Sequence, residues 1–321
     1  MSTRTTWRRA LYALTAASAG LAAFTIPATA AQAHENGDRT ITVNGSQVFP
    51  ESVAADHRYV YTASMADGTV YRGRVGAKTL DPFLPAGQNG RTQVTGVKLD
   101  GDRLLLAGGF TGHFFVYTSD GQLVSDYTVA GADKTLVNDA AVAANGDVYV
   151  TDSFRAVVYR LPAAEVHAPA AGAHRPLQVA YHLPDYVAGT SNGNGIVATP
   201  DGRSLIVGYW NSGALYRLTL ATGEVRKIDA PALTSADGMA LRGTTLYVAR
   251  SVDTEVATVL LSPDYTRATV LSERTYPGAD TPTGIAVSGD RLLVTNSQFD
   301  TFLYGAPLTS PVFTLESLPL R

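Results

Sequence analysis

One motif occurs six times at nearly regular intervals along the chain, and this repetition points to a repeat architecture. Each copy has a polar residue, usually followed by a small one, then an apolar segment, a turn containing Gly or Asp, and a second apolar segment. We call the opening polar residue the anchor residue, and we name each unit after its anchor. The anchor residues are Glu51, Thr95, Asn138, Asn194, Asp237 and Thr283. Successive anchors lie 44, 43, 56, 43 and 46 residues apart.

Each unit is long enough for about four short strands. In the Asn194 unit, for example, the two apolar segments are followed by further strand-like runs at 214–218 and 224–228. No helical periodicity is sustained after the N-terminal segment. We therefore predict an all-β protein, a six-bladed β-propeller with about four antiparallel strands in each blade. A β-solenoid is the alternative, but its repeats are shorter.

Residues 1–33 have the features of a cleavable export signal. A basic start that includes Arg8 and Arg9 precedes an apolar, Ala-rich stretch at 11–26, and two small-x-small cleavage sites follow. The arginine pair also admits the twin-arginine route beside the Sec route. No later stretch has the unbroken apolar length of a membrane-spanning helix. We expect residues 34–321 to form one secreted propeller domain without a membrane span.

The composition excludes several classes of function. The chain has no cysteine, so it can form neither a disulfide nor a thiolate metal site, and it has no cysteine nucleophile. Its net charge is −3, and the charges are scattered, which argues against a nucleic-acid partner. The 30 glycines and 16 prolines suit a chain with many turns between strands. We expect a monomer whose partner is a small molecule.

The long interval between anchors contains an insertion at 162–190. The insertion is rich in Ala, Pro and His, which is typical of a loop over one face of a propeller. We interpret it as a solvated loop. A lid over a functional site is the alternative, and it would explain the three histidines gathered there, His167, His174 and His182.

The innermost strand of every propeller blade lines a central channel, and the anchor residues begin these strands. All six anchors should therefore face one end of the channel, and none of them is apolar or basic. Two carboxylates at that point would repel each other and lose hydration unless a cation lay between them. Oxygen ligands suit calcium first, with magnesium, manganese and zinc as alternatives. We predict a site for one divalent cation formed by Glu51, Asn138, Asn194 and Asp237.

Local backbone chemistry is the alternative explanation for polar anchors. Asn, Asp and Thr before Gly commonly bend the chain, and their side chains bond nearby backbone groups. We accept this explanation for Thr95 and Thr283. It explains Glu51 poorly, because Glu is not a turn former and no glycine follows it.

Four stretches resemble the senescence marker protein/gluconolactonase (regucalcin-like) family of six-bladed propellers. The resemblance spans about 41–321, and the stretches are FPES, LVNDAAVAANGDVYVTDS, NGNGIVATPDG and ADGMALRGTTLYVA. That family binds one divalent cation, often calcium, through a Glu, an Asn and an Asp, which implies Glu51, Asn194 and Asp237 as ligands. The resemblance also implies that Asn138 approaches the metal or the substrate.

The resemblance implies metal-dependent hydrolysis of lactones or esters, in which the cation polarises the carbonyl and lowers the pKa of a bound water. Asp237 would then be both a ligand and the proton acceptor. Leu136 stands where sugar-lactonase members carry an Arg that contacts substrate, so we do not expect gluconolactone as the substrate. The competing function is a non-enzymatic propeller that binds a peptide, a glycan or a cell-wall fragment, with a cation that only stabilises the channel.

Overall fold

The computed structural model describes residues 37–131, 134–168, 174–308 and 310–320, and the predicted export signal at 1–33 lies outside them. The described residues are almost entirely strands and turns. The strands are β1 Arg39–Val43, β2 Pro50–Ala55, β3 Tyr59–Ser64, β4 Val70–Arg74, β5 Thr79–Leu84, β6 Gly96–Asp100, β7 Arg103–Ala107, β8 His113–Thr118, β9 Leu123–Thr128, β10 Val137–Val142, β11 Val148–Asp152, β12 Val157–Leu161, β13 His174–Pro176, β14 Gln178–His182, β15 Gly193–Ala198, β16 Ser204–Tyr209, β17 Leu215–Thr219, β18 Val225–Lys227, β19 Ala236–Arg242, β20 Thr245–Arg250, β21 Glu255–Leu261, β22 Ala268–Arg274, β23 Ile285–Ser288, β24 Arg291–Asn296 and β25 Phe313–Pro319. The helices are α1 Ala163–Val166 and α2 Phe299–Tyr304, and a 3₁₀ turn covers Gln88–Gly90.

The strands pair into antiparallel runs of four that follow the order of the chain. Separate sheets contain the runs β6–β7–β8–β9, β10–β11–β12–β14, β15–β16–β17–β18 and β19–β20–β21–β22. An eight-stranded sheet contains two further runs, β2–β3–β4–β5 and β23–β24–β25–β1, which meet through a parallel contact between β5 and β1. Because β1 pairs with β25, the two ends of the described chain complete one run together.

The first strands of the runs form a closed ring. β2 contacts β6, β6 contacts β10, β10 contacts β15, β15 contacts β19, β19 contacts β23, and β23 contacts β2 again. Four anchors lie on these inner strands and the other two lie just before β6 and β23. The first group is Glu51, Asn138, Asn194 and Asp237, and the second is Thr95 and Thr283.

The hydrophobic core lies between neighbouring runs. Leu105 and Phe114, from β7 and β8, pack in one cluster with Val150 and Tyr159 from β11 and β12, and all four are buried. This arrangement uses the alternation of side chains along each strand, because each face of a run covers the facing run. The fold therefore stacks sheets around an axis.

Glycine follows four of the anchors because neighbouring inner strands are too close for a side chain there. A Cβ added at Gly96 would lie 2.4 Å from the backbone oxygen of Asn138, and one added at Gly195 would lie 2.2 Å from that of Asp237. The same contact occurs at the other two positions, Gly238 with Thr283 at 2.5 Å and Gly284 with Glu51 at 2.7 Å. The Asn-Gly and Asp-Gly pairs thus serve packing between strands.

The turn interpretation of Thr95 and Thr283 is wrong. Thr95 Oγ1 donates a hydrogen bond to the backbone oxygen of Val137 at 2.7 Å, and Thr283 Oγ1 donates one to that of Glu51 at 2.6 Å. Both acceptors lie on the next inner strand of the ring. These hydroxyls therefore connect neighbouring runs instead of bending their own segment.

The insertion at 162–190 contributes the short helix α1 and two outer strands, β13 and β14. β14 is the outermost strand of its run, and β13 adds a parallel strand to β9. His167 Nε2 lies 2.8 Å from a carboxylate on β6, His174 Nδ1 lies 2.8 Å from Asp126, and His182 is exposed on β14. His167 directly follows α1, His174 lies on β13 and His182 lies on β14, so the three histidines are not gathered at one site. Gly189 and Thr190, at the end of the insertion, line a cavity at one end of the ring, and the lid alternative stays a prediction.

We expect Gly195→Ala to lower the free energy of unfolding by about 2 kcal/mol, because the added methyl group enters the backbone of the next inner strand. Chemical denaturation measures this effect. Gly37→Ala is the matched control, since nothing lies within 4 Å of a Cβ added there. Equal destabilisation by the two substitutions would contradict the close packing of the ring.

Candidate metal centre

A cavity of about 290 Å³ lies at one end of the ring of inner strands. The four residues predicted as metal ligands all line it, and so does the anchor Thr95, whereas the anchor Thr283 does not belong to its lining. Each of the four is buried and no more than 7% exposed. The structure thus brings Glu51, Asn138, Asn194 and Asp237 to one cavity.

Asn138 is held by its amide nitrogen. Its Nδ2 donates to Ser153 Oγ at 3.0 Å, and that hydroxyl in turn donates to the backbone oxygen of Gly193 at 2.8 Å. Because the hydroxyl hydrogen is used on Gly193, Ser153 must accept from Asn138, and this fixes which end of the amide faces it. Asn138 Oδ1 is then the atom available to a ligand.

Asp237 is held by a chain of hydrogen bonds. Trp210 Nε1 donates to Ser251 Oγ at 3.0 Å, and Ser251 and Asn194 both bond the carboxylate of Asp237. Burial raises the pKa of Asp237 to about 7, the hydrogen bonds from Ser251 and Asn194 oppose this shift, and the charge of Asp139 adds to it. The carboxylate is therefore fixed in position but costly to ionise without a positive charge nearby.

Glu51 is in a similar environment. Burial raises its pKa well above the ordinary value for Glu, the negative charges of Asp237 and Asp139 raise it further, and Lys98 lowers it. Two buried carboxylates in one cavity favour either bound protons or a bound cation.

Sequence reasoning missed a third buried carboxylate, Asp139, which follows the anchor Asn138. Asp139 Oδ1 lies 3.2 Å from Lys98 Nζ. Lys98 also lines a second cavity, of about 310 Å³, which is formed by the later residues of the inner strands. The ion pair thus lies inside the ring, between the residues of the two cavities.

A signal for Asp139 was present in the sequence. In four units the residue after the anchor is glycine, and the exceptions are Asp139 and Ser52. Ser52 Oγ accepts a hydrogen bond from the backbone nitrogen of Val97 at 3.1 Å, and Asp139 Oδ2 accepts one from that of Ile196 at 3.4 Å. Each exception therefore bonds the next inner strand, two residues beyond its anchor.

The walls of the cavity carry large apolar side chains and several hydroxyls. They include the rings of Phe110, Phe154, Trp210 and Tyr304, and no Arg, Lys or His occurs among the described residues of the lining. Leu136 also lines the cavity, at the position where the resemblance would place a substrate-contacting Arg in sugar lactonases.

The donor atoms fit a hard cation. Within the described ranges, no three or more His, Cys, Asp or Glu side chains are grouped so that they could hold a metal ion. The predicted set has two carboxylates and two amides, so it depends on amide oxygens to complete a coordination shell. An all-oxygen set of this kind suits calcium and magnesium, and zinc, which favours nitrogen and sulfur, fits it least.

We expect Lys98→Met to lower the free energy of unfolding by about 2 kcal/mol, because it leaves Asp139 buried beside two other carboxylates without its counter-charge. Chemical denaturation at neutral pH measures the loss. The double variant with Asp139→Asn should recover most of it, and Lys78→Met, at an exposed lysine, should have little effect. A loss no larger than that of Lys78→Met would contradict the role of this ion pair.

No protein-family model and no curated protein matches the chain. Several solved structures are similar to it. The allergen Mala s 1 from Malassezia sympodialis has a TM-score of 0.64 at 13% identity, covering 87% of this chain and 95% of that one. A luciferin-regenerating enzyme has a TM-score of 0.59 at 14% identity, covering 88% and 96%. Virginiamycin B lyase from Staphylococcus aureus has a TM-score of 0.55 at 12% identity, covering 88% and 99%. At such low identity the likeness shows the fold alone: the chain has a β-propeller fold.

Proposed function

We propose that this protein is an exported, six-bladed β-propeller that uses one divalent cation to hydrolyse lactones or esters. The observation that carries the proposal is the cavity floor, where two buried carboxylates and two amides lie together. We count six blades because the eight-stranded sheet contains two runs of four strands, each of which we treat as one blade. Each anchor residue then belongs to one blade.

Charge balance supports a divalent cation at this site. When ionised, Glu51, Asp139 and Asp237 together with Lys98 carry a net charge of minus two, and these groups interact electrostatically. One divalent cation neutralises that charge. Glu51 and Asp237 would supply the charged ligands, and Asn138 Oδ1 and Asn194 the neutral ones, with calcium as the preferred ion.

A cation held there would polarise the carbonyl of a bound substrate and lower the pKa of a water. Asp237 is our candidate for the proton acceptor, because Ser251 and Asn194 hold its carboxylate in one orientation. Asn138, fixed by Ser153, would orient the substrate. The aromatic walls would exclude bulk water and so strengthen these electrostatic interactions.

The comparisons and the sequence support parts of this proposal. The luciferin-regenerating enzyme and virginiamycin B lyase are enzymes by name and share the fold. Export rests on the signal-like segment 1–33. The described residues contain no helix with the length and apolarity that a membrane crossing requires.

A non-enzymatic propeller that binds a peptide, a glycan or a cell-wall fragment is the second candidate. One observation favours it: the part of the chain that the structure describes has no grouping of three His, Cys, Asp or Glu residues suited to a metal. A cation would then have a structural role or none. Metal binding and turnover therefore have to be measured separately.

Calcium should raise the melting temperature of protein stripped by a chelator. At a hundredfold excess over Kd the stabilisation is about 2.7 kcal/mol, which raises the melting temperature by about 4–5 °C for a domain of this size. Glu51→Gln and Asp237→Asn should abolish the shift in differential scanning calorimetry, and the exposed control Asp290→Asn should keep it. An unchanged melting temperature in the native protein would contradict the metal site.

We expect the calcium-loaded protein to hydrolyse members of a panel of lactones and aryl esters. Asp237→Asn should lower kcat/KM at least about 100-fold, because it removes both a cation ligand and the proton acceptor, while Asp290→Asn should not change it. Hydrolysis that Asp237→Asn leaves unaltered would overturn its role. Absence of hydrolysis across the panel would support the binding function instead.

A further inference from the structure

We infer that the ligand of this cavity joins an uncharged carbonyl group to an apolar chain or ring, as in an alkyl or aryl lactone or ester, and is not a sugar derivative. This inference deepens the proposed function and rests on it for the statement that the carbonyl group reacts. The ligand class itself follows from how polar and apolar groups are arranged in the cavity.

Carboxylates and amides are separated from the large apolar side chains in the cavity. The carboxylates and amides lie together on the inner strands, whereas the loops above them contribute Phe110, Phe154, Trp210 and Val252, together with four Ser and Thr hydroxyls. A ligand with one polar end and an apolar body matches this division. A sugar lactone, with a hydroxyl on most carbons, would place several of them against aromatic and aliphatic carbon and lose their hydration.

Two of the four hydroxyls in the loops of the wall already have hydrogen-bond partners. Thr281 Oγ1 accepts from the backbone nitrogen of Phe299 at 2.8 Å, and Ser251 Oγ is bonded by Trp210. Ser191 Oγ, in contrast, is buried and has no hydrogen-bond partner among the described residues. The hydroxyls of Thr190 and Ser191 can serve the oxygens of an ester or lactone but not the many hydroxyls of a sugar.

The cavity also lacks the groups that recognise anions. The described residues of its lining include no Arg, Lys or His, and Leu136 contributes an aliphatic side chain. With the proposed divalent cation bound, the charges of the floor are already balanced, so a carboxylate or phosphate on the ligand would add an uncompensated negative charge. The ligand is therefore uncharged at the end that enters the cavity.

Large apolar side chains continue from the cavity onto the surface. Phe110 is 47% exposed, Val252 63%, Leu303 46% and Tyr304 70%, and all four line the cavity. They come from three places in the chain: the loop after β7, the loop after β20, and α2. These four residues form an apolar rim at the mouth of the cavity. An alkyl chain of the ligand that is longer than the cavity can extend over this rim.

The test measures binding without turnover. Methyl-, butyl- and octyl-substituted cyclopentanones carry the carbonyl and the apolar chain but have no ester bond to hydrolyse. The protein has 2 tryptophans, Trp7 and Trp210, and Trp210 lines the cavity. In the full-length Trp7→Phe variant the tryptophan fluorescence comes from Trp210 alone, so it reports ligand entry. We expect Kd to fall about two- to fourfold for each methylene group that becomes buried. Gluconolactone should bind at least about tenfold more weakly than the butyl compound.

Matched variants test whether the alkyl chain of the ligand contacts the rim. Leu303→Ser and Val252→Ser should each weaken octyl binding several-fold and leave methyl binding within about twofold, because one buried contact is lost. Leu271→Ser is the control, since Leu271 is 56% exposed but does not line this cavity. Near-ultraviolet circular dichroism shows whether each variant is folded.

The outcomes separate this inference from the proposed function. A Kd that does not change with chain length, or gluconolactone as the tightest ligand, overturns the inference even if lactones are hydrolysed. Chain-dependent binding without hydrolysis of any alkyl lactone supports the ligand class and overturns the hydrolase. An equal effect of Leu303→Ser and Leu271→Ser overturns the role of the rim.

Discussion

The close approach of the inner strands is the constraint on which the rest of the structure depends. A Cβ at the position after four of the anchors would lie 2.2–2.7 Å from the backbone of the next strand, so these positions require glycine. The threonine anchors then connect the strands through hydroxyl-to-carbonyl bonds, as Thr95 and Thr283 do. The other four anchors begin neighbouring strands of the same ring, and their side chains therefore meet on one cavity floor.

The same closeness creates an electrostatic problem. Glu51 and Asp237 are buried at that floor, and Asp139 lies close enough to raise the pKa of both. Lys98 compensates one of the three charges from inside the ring. Burial of like charges lowers the stability of the fold. Groups of this kind concentrate at functional sites. A divalent cation would supply the missing charge, and the hydrogen bonds that hold Asn138 and Asp237 would then fix its ligands in advance.

Much of this arrangement could be predicted from the sequence because it is periodic. The spacing of the anchors predicted the units, and the structure places Glu51, Asn138, Asn194 and Asp237 in one cavity. Periodicity could not reveal the rim, whose residues lie on loops and a short helix without a common register, nor the strands within the insertion. Asp139 could not be singled out as long as the glycine after an anchor was explained by turn formation. Because that glycine is required by the packing of neighbouring strands, a larger residue in its place, such as Asp139, indicates a side chain with a specific interaction.

The central claim is that four oxygen-bearing anchors hold one divalent cation on the axis of the ring. Anomalous diffraction from crystals grown with Mn²⁺, an oxygen-preferring stand-in for calcium, tests this claim most directly. The account predicts one strong anomalous peak within coordinating distance of Glu51 and Asp237, with the amide oxygens of Asn138 and Asn194 completing the shell. A map without a peak at this floor, or a peak held by other residues, would contradict it.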